Sequence, residues 1–347
     1  MISWTSQTTS PSAAPQAMWR IALATIAIGM LVAATMLAQT ASKPAPAATP
    51  PAVKPPVAAV PPPGAKPFAT AQAAADALVL ATTTFDEPAL IALFGPDNKD
   101  LVTTGDAVRD KSYALAFAAL AKEGHSVVVN PATPSKATLQ VGLDHWPLPV
   151  PLVKVSGKWY FDAKAGRDEI LFRRVGANEL DAIEICRGFV EAQNQYALDL
   201  HDDSHMHQYA QRIMSTPGKQ DGLFWRNADG TEGGPISEAV ARAIQEGYAV
   251  ETTSAYHGYF FQVLKGQGPA APLGEIDYII RGAMIGGFAL IATPAEYGVT
   301  GVQTFIVNHN GIVYQKDLGP DSVALAKKID RYNPDKTWTR TNDAWVK

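Results

Sequence analysis

Gly287–Gln315 reads GFALIATPAEYGVTGVQTFIVNHNGIVYQ. Two runs rich in β-branched and aromatic residues, Gly287–Thr293 and Val302–Val307, flank a Pro- and Gly-punctuated connection. Asn310-Gly311 then turns the chain into Ile312–Gln315. Short apolar runs bounded by turn residues read as strands, and Asn-Gly between such runs is a strong hairpin signal. An antiparallel meander is therefore expected here. Upstream, Tyr259–Leu264 adds an aromatic strand, and Ile236–Glu246 reads as a short helix after glycine-rich turns. Further upstream, Arg167–Leu200 is strongly helical, with Leu180, Ile183, Cys186, Phe189, Gln193 and Tyr196 recurring along one stripe. Its Glu169, Glu179, Glu184 and Glu191, set against Arg173, Arg174 and Arg187, read as a solvated face. Gly319-Pro320 opens a terminal helix carrying Val323, Leu325, Ala326 and Ile329. Residues 166–347 thus form one expected domain, a long helix plus antiparallel sheet.

A different pattern occupies residues 68–165. Phe68–Thr83 is an alanine-rich helix with Ala74, Ala77, Leu78 and Ala81 on one face. Asp86-Glu87-Pro88 starts a second helix, where proline's missing N–H costs nothing, and Gly95-Pro96 ends it. A third, from Asp106 to Glu123, is expected to pack through Tyr113, Leu115, Phe117 and Leu120 and to stop at Gly124. Strands follow at Ser126–Asn130 and Ala137–Val141. Then comes a hairpin, Pro149–Val155 and Lys158–Phe161 around Ser156-Gly157, with Trp159 and Phe161 on one face. The fold class is α+β. The segment Leu143–Pro149 (LDHWPLP) reads as a loop whose Trp146 caps the core, with a pocket lip as the other reading.

Ahead of both domains, Ile21–Ala38 (IALATIAIGMLVAATMLA) is uncharged. As a helix it spans about 27 Å, enough for a hydrocarbon core, so it is expected to be a transmembrane anchor or a signal segment behind a polar leader, residues 1–20. Residues 39–67 form an Ala/Pro-rich disordered tether of the extended, semi-rigid type. Arg20 before the apolar run and the spacer after it predict a protein anchored in the inner membrane and facing the periplasm, or secreted there or beyond.

Composition narrows the function classes. With 47% hydrophobic and 18% charged residues the 347-residue chain can build globular cores, and its net charge of -4 offers no basic footprint for nucleic acid. The single Cys186 permits no intramolecular disulfide, and its place in the helical stripe predicts a buried, inert thiol. His201, His205 and His207 are the candidate metal ligands. They sit in HDDSHMH, which lacks the glutamate of HExxH and supplies no complete ligand set on either a helix or a strand, so a polar helix-ending loop is the competing reading. Asp221, Asp229 and Glu232 match no EF-hand spacing. Pro217-Gly218-Lys219-Gln220 is no phosphate loop, no G-x-S-x-G elbow occurs, and no organic cofactor is implied. His257 could act as a base but reads as a strand-edge structural histidine, and no catalytic residue is assigned.

Two resemblances follow from particular residues. The spacing Val155-x-Gly157-x-Trp159-x-Phe161 after three helices is similar to the late strands of cone-shaped nuclear-transport-factor-like folds, which host enzymes and plain binding modules alike. NELDAIEICRGFVEAQNQYA (178–197), HGYFFQVLKGQGPAAP (257–272) and the stretch 284–320 resemble the bacterial domain-of-unknown-function 2950 family over roughly residues 68–342. That resemblance implies an exported bacterial protein and carries over no catalytic residue. The helix-then-meander order of the C-terminal part is also similar to pseudopilin-like heads, although here a whole domain stands between the apolar segment and the head. The expected function is a non-enzymatic envelope module that binds another envelope protein or a small apolar ligand. The alternative is an extracytoplasmic enzyme, or a metal protein using the cone-like cavity or His201–His207.

Overall fold

Capping side chains punctuate the first part of the chain. Thr70 accepts from the Ala73 amide and opens α1 (Ala71–Thr84), and Asp86 accepts from Ala89 N and opens α2 (Glu87–Phe94). Asp106 accepts from the amides of Val108 and Arg109 and opens α3 (Ala107–Glu123). Each cap satisfies amides that the first helical turn leaves without partners. The computed structural model describes residues 60–202, 205–238, 240–241 and 256–342. The apolar segment 21–38, the leader and most of the tether lie outside the described residues. Among the described residues no helix is long and apolar enough to cross a membrane.

Five strands follow the helices: β1 (His125–Val129), β2 (Lys136–Val141), β3 (Trp146–Pro147), β4 (Leu152–Val155) and β5 (Lys158–Phe161). They form an antiparallel sheet in the order β1-β2-β4-β5, with β3 also paired to β2. The hairpin at Ser156-Gly157 forms as expected. Both residues lie in the left-handed region (φ +49° and +79°), the type I′ geometry that matches strand twist. Trp159 and Phe161 are buried, and Phe94 packs on Phe161 with ring centroids 5.1 Å apart. The expected strand at Pro149–Val155 begins only at Leu152. Pro147, Pro149 and Pro151 lack amide donors, so β3 and β4 pair with opposite ends of β2 and the segment between them leaves the ladder. The 3₁₀ turn Pro96–Leu101 was not foreseen.

On α3 the buried side chains are Asp110, Ala118 and Ala121, with Phe117 and Leu120 partly buried against the core, while Leu115 is exposed. The expected set mixed two faces, because residues two apart on a helix point about 200° apart.

The chain divides into two compact units at Ile170/Leu171. Helix α4 (Ala163–Tyr196), opened by Asp162 accepting from Ala165 N, supplies its first turns to unit one and the rest to unit two. It runs unbroken through Asn178. Ile183, Cys186, Phe189, Gln193 and Tyr196 are buried as the stripe predicts, whereas Leu180 is exposed. Cys186 forms no disulfide.

In the second unit β6 (Arg212–Met214) and β7 (Gly222–Arg226) are parallel, and β8 (Glu232–Gly233) pairs antiparallel with β7. The helix expected at Ile236–Glu246 lies largely outside the described residues. The main sheet uses β9 (Tyr259–Leu264). Two short pairs follow, β10 (Gly266–Gln267) with β11 (Ile276–Asp277) and β12 (Ile279–Ile280) with β13 (Ala283–Met284). Then come β14 (Ala289–Pro294), β15 (Gln303–Asn308), β16 (Tyr314–Asp317), α5 (Ser322–Ala326) and β17 (Thr339–Arg340). The sheet order is β17-β16-β15-β14-β9, all antiparallel. The meander is thus present, with its third strand starting at Tyr314 because Asn310-Gly311 leads into a longer connection. All six residues of β14 are buried, so both faces of that strand are covered. Phe189 of α4 meets Phe288 edge-on at 5.6 Å, and α5 packs on β14.

One buried polar contact ties the unit together. The Gln193 carboxamide donates to Ala210 O and accepts from Ala210 N, both at 2.8 Å and fully buried. Gln193→Ala leaves two buried backbone groups without partners, and a loss of about 2–4 kcal/mol of unfolding free energy is expected in chemical denaturation.

His309 sets a pH dependence. It is half-buried between the rings of Tyr278 and Phe288, its Nδ1 is without a partner among the described residues, and burial holds its imidazole below the usual histidine range. The native state therefore binds fewer protons than the unfolded chain just below the ordinary histidine pKa of about 6.5, and stability falls as pH drops through that value. Hydrogen-exchange protection of β15 amides is expected to weaken between about pH 7 and pH 5. His309→Gln should flatten that slope.

Candidate functional site

Helices α1 and α3 run antiparallel, with His125, just past the end of α3, reaching Asp76 on α1 at 3.3 Å. Near that end the facing residues are small: Ala71, Ala74 and Ala75 on α1, Ala118 and Ala121 on α3, all buried. Toward the other end the facing residues are larger, and the helices enclose a partly open cleft of about 250 Å³. Leu78, Thr82 and Phe85 line it from α1, one face at helical spacing, and Asp110, Tyr113, Ala114 and Phe117 line it from α3 at the same spacing. Leu90 and Phe94 of α2, Asp100 and Leu101 of the 3₁₀ turn, Val102 and Thr104 after it, Leu148 to Val150 and Ile170 complete the wall. The proline-interrupted stretch between β3 and β4 is therefore a pocket lip at Leu148, Pro149 and Val150. Trp146 instead packs against the unit's core.

The polar groups in this wall are few and committed. Thr82 Oγ1 donates to Leu78 O and Val79 O within its own helix. Asp100 takes a two-pronged contact from the Arg167 guanidinium, Nε to Oδ2 at 2.9 Å and Nη2 to Oδ1, which holds its carboxyl below the usual carboxylate range. Asp110, 5% exposed, accepts from Thr104 N at 3.0 Å on each oxygen and from Thr104 Oγ1 at 2.7 Å. The site's chemistry is that of an apolar receptacle with one deep anionic group. The residues were individually visible in the sequence; only folding brings the two helical faces together.

The three candidate metal-ligating histidines are used differently. His201 is buried, stacks on Tyr196 with centroids 3.8 Å apart, meets Trp225 edge-on, and donates from Nε2 to Tyr196 O at 2.7 Å. His207 Nδ1 donates to Ala197 O at 2.9 Å, and His205 is exposed. Among the described residues no group of three or more His, Cys, Asp or Glu is placed to hold a metal ion. Asp221 and Asp229 cap turns, accepting from the backbone and hydroxyl of Thr216 and Thr231 respectively. Glu232 accepts from Glu238 N at 3.4 Å.

His257 Nδ1 contacts Asp181 Oδ2 at 2.7 Å, a pair exposed to solvent. The histidine sits in the left-handed region (φ +48°) beside Gly258. Next to this pair, Asn178 donates to Thr300 O and Glu179 Oε1 accepts from the amides of Val302 and Gln303. These side chains of α4 grip the turn preceding β15, which gives the pair a place in a structural junction.

The family comparison matches residues 65–341 to the model described as "Protein of unknown function (DUF2950)". The chain belongs to the DUF2950 family. Neither a curated protein nor a solved structure matches it, so the pseudopilin likeness gains no support from known folds. The DUF2950 match includes every residue that lines the cleft.

Because His201 fills an aromatic niche and bonds a backbone carbonyl, His201→Ala is expected to lower the melting temperature by several degrees. A chelator should leave the wild-type melting curve in place. Differential scanning calorimetry with and without EDTA checks both.

Proposed function

We propose that this DUF2950 protein is a non-enzymatic envelope module whose first unit holds a small apolar ligand. The observation that carries the reading is the cleft between α1 and α3, walled by apolar side chains from every element of the unit's helical layer. An apolar cavity of about 150 Å³ suffices for benzene, so a cleft of about 250 Å³ has room for an aryl group or a six-carbon chain with a head group. Its carboxylates favour binding over turnover: Asp100 is engaged by Arg167 and Asp110 by the amide and hydroxyl of Thr104, and neither has a second carboxylate at hydrogen-bond distance among the described residues. In this reading the first unit works as a helix-and-sheet cone with the cleft as its mouth. The uncharged run 21–38, long enough as a helix to cross a hydrocarbon core, supports a reading in which it serves as anchor or export signal and the proline-rich spacer holds the unit off the surface.

The test uses the full chain in lipid nanodiscs. A panel of small apolar compounds, indole and hexanol among them, should raise the melting temperature of the first unit in a concentration-dependent way. Ala114→Trp, which places a large ring in the cleft, should abolish the shift while leaving a cooperative transition. Wild-type protein that takes up no compound of this size would remove the binding reading. A protease-accessibility experiment on spheroplasts checks the topology: the globular units should be digested from outside.

A further inference from the structure

Asp110 is a buried carboxylate in an apolar wall, and among the described residues its hydrogen bonds come from the amide and hydroxyl of Thr104, both neutral donors. No lysine, arginine or histidine lies within ion-pair distance of Asp110 among the described residues. Arg109, its chain neighbour, pairs with Asp106 at 4.0 Å and reaches Thr104 Oγ1 at 3.4 Å, one hydrogen bond short of the carboxylate. Asp100, the other carboxylate of the cleft, differs on this point, because Arg167 matches its charge. Removing a charge from water is costly unless something pairs with it, and Asp110 is compensated in part by the Thr104 hydrogen bonds, by Arg109 beyond Thr104 and by its first-turn position on α3, with no direct ion pair among the described residues.

Resting on the cleft being a ligand site, we infer that its ligand carries a cationic head: a small apolar amine whose ammonium pairs with Asp110 while its hydrocarbon fills the space between α1 and α3. Three features select this class over others. The walls are hydrocarbon and aromatic, so a strongly hydrated metal ion would lose its water for a single carboxylate, whereas an alkylammonium brings its own apolar surface. Tyr113 and Phe117 line the cleft one and two turns beyond Asp110 on the same face of α3, which puts aromatic side chains in the wall that holds the charge. An anionic amphiphile of the same size would meet the Asp110 carboxylate on entering and be repelled.

The experiment compares hexylamine, hexanol and hexanoate by isothermal titration calorimetry, with the full chain in nanodiscs of neutral lipid and empty nanodiscs as the blank. The expected ranking is hexylamine at least about tenfold tighter than hexanol, with hexanoate weakest. Asp110→Asn retains an acceptor for Thr104 and should bring amine and alcohol to within about twofold of each other while hexanol binding persists. Hexanol equal to or tighter than hexylamine in the wild type would overturn the cationic ligand and leave the apolar site standing, a result that does not depend on any variant folding. An amine preference unchanged in Asp110→Asn would overturn the role of this carboxylate. Failure of all three compounds to bind would overturn the site itself.

Discussion

The spacing between α1 and α3 governs the first unit. At one end of the antiparallel pair the buried residues are alanines, whose small side chains allow close backbone approach. At the other end Leu78, Phe85, Tyr113 and Phe117 line the cleft. The sheet cannot fill this opening. Three prolines between Trp146 and Leu152 withhold donors from the β-ladder and send Leu148 to Val150 to the rim. A tight end, an open end and an interrupted strand together give a small unit a persistent cavity where core side chains would otherwise meet.

The second unit shows the opposite arrangement. Strand β14 is buried along its full length, Gln193 satisfies a buried backbone position far along the chain, and three tyrosines, Tyr259, Tyr278 and Tyr332, are almost wholly enclosed. Burial pushes the Tyr278 hydroxyl up to about 12, as expected for a phenol that donates to Gln267 Oε1 and never meets solvent as an anion. Among the described residues Thr304 Oγ1 and Ser322 Oγ are buried polar atoms without partners on or beside this sheet. A filled unit and a hollow one in the same chain suit a division in which one part supplies rigidity and the other holds the ligand.

Local chemistry in the sequence announced a good part of this. Asp86 with Pro88, Gly95-Pro96 and Ser156-Gly157 act within a few residues, and each gives the start, stop or turn it implies. The stripe on α4 and the central strands of the meander were legible for the same reason: periodicity is a property of a single element. What escaped was non-local. The cleft joins α1 and α3 faces some thirty residues apart, and nothing in either helix alone distinguishes a wall from a core. One signal was available: Asp110 occupies an apolar-face position, in register with Tyr113, Ala114 and Phe117, where a carboxylate is out of place unless it has a task. The histidine cluster left two readings open, a metal site and a polar helix-ending loop, and in the fold His201 and His207 each spend a nitrogen on a backbone carbonyl.

The central claim, an apolar amine seated between α1 and α3 with its charge at Asp110, is tested most directly by crystals soaked with 4-iodobenzylamine, using the anomalous signal of iodine to locate the ring. The account predicts one strong site inside the cleft, the ring between Leu78 and Phe117 and the ammonium at hydrogen-bond distance from Asp110 Oδ2. Iodine bound only outside the cleft, or a ring inside it with the ammonium turned away from Asp110, would contradict it.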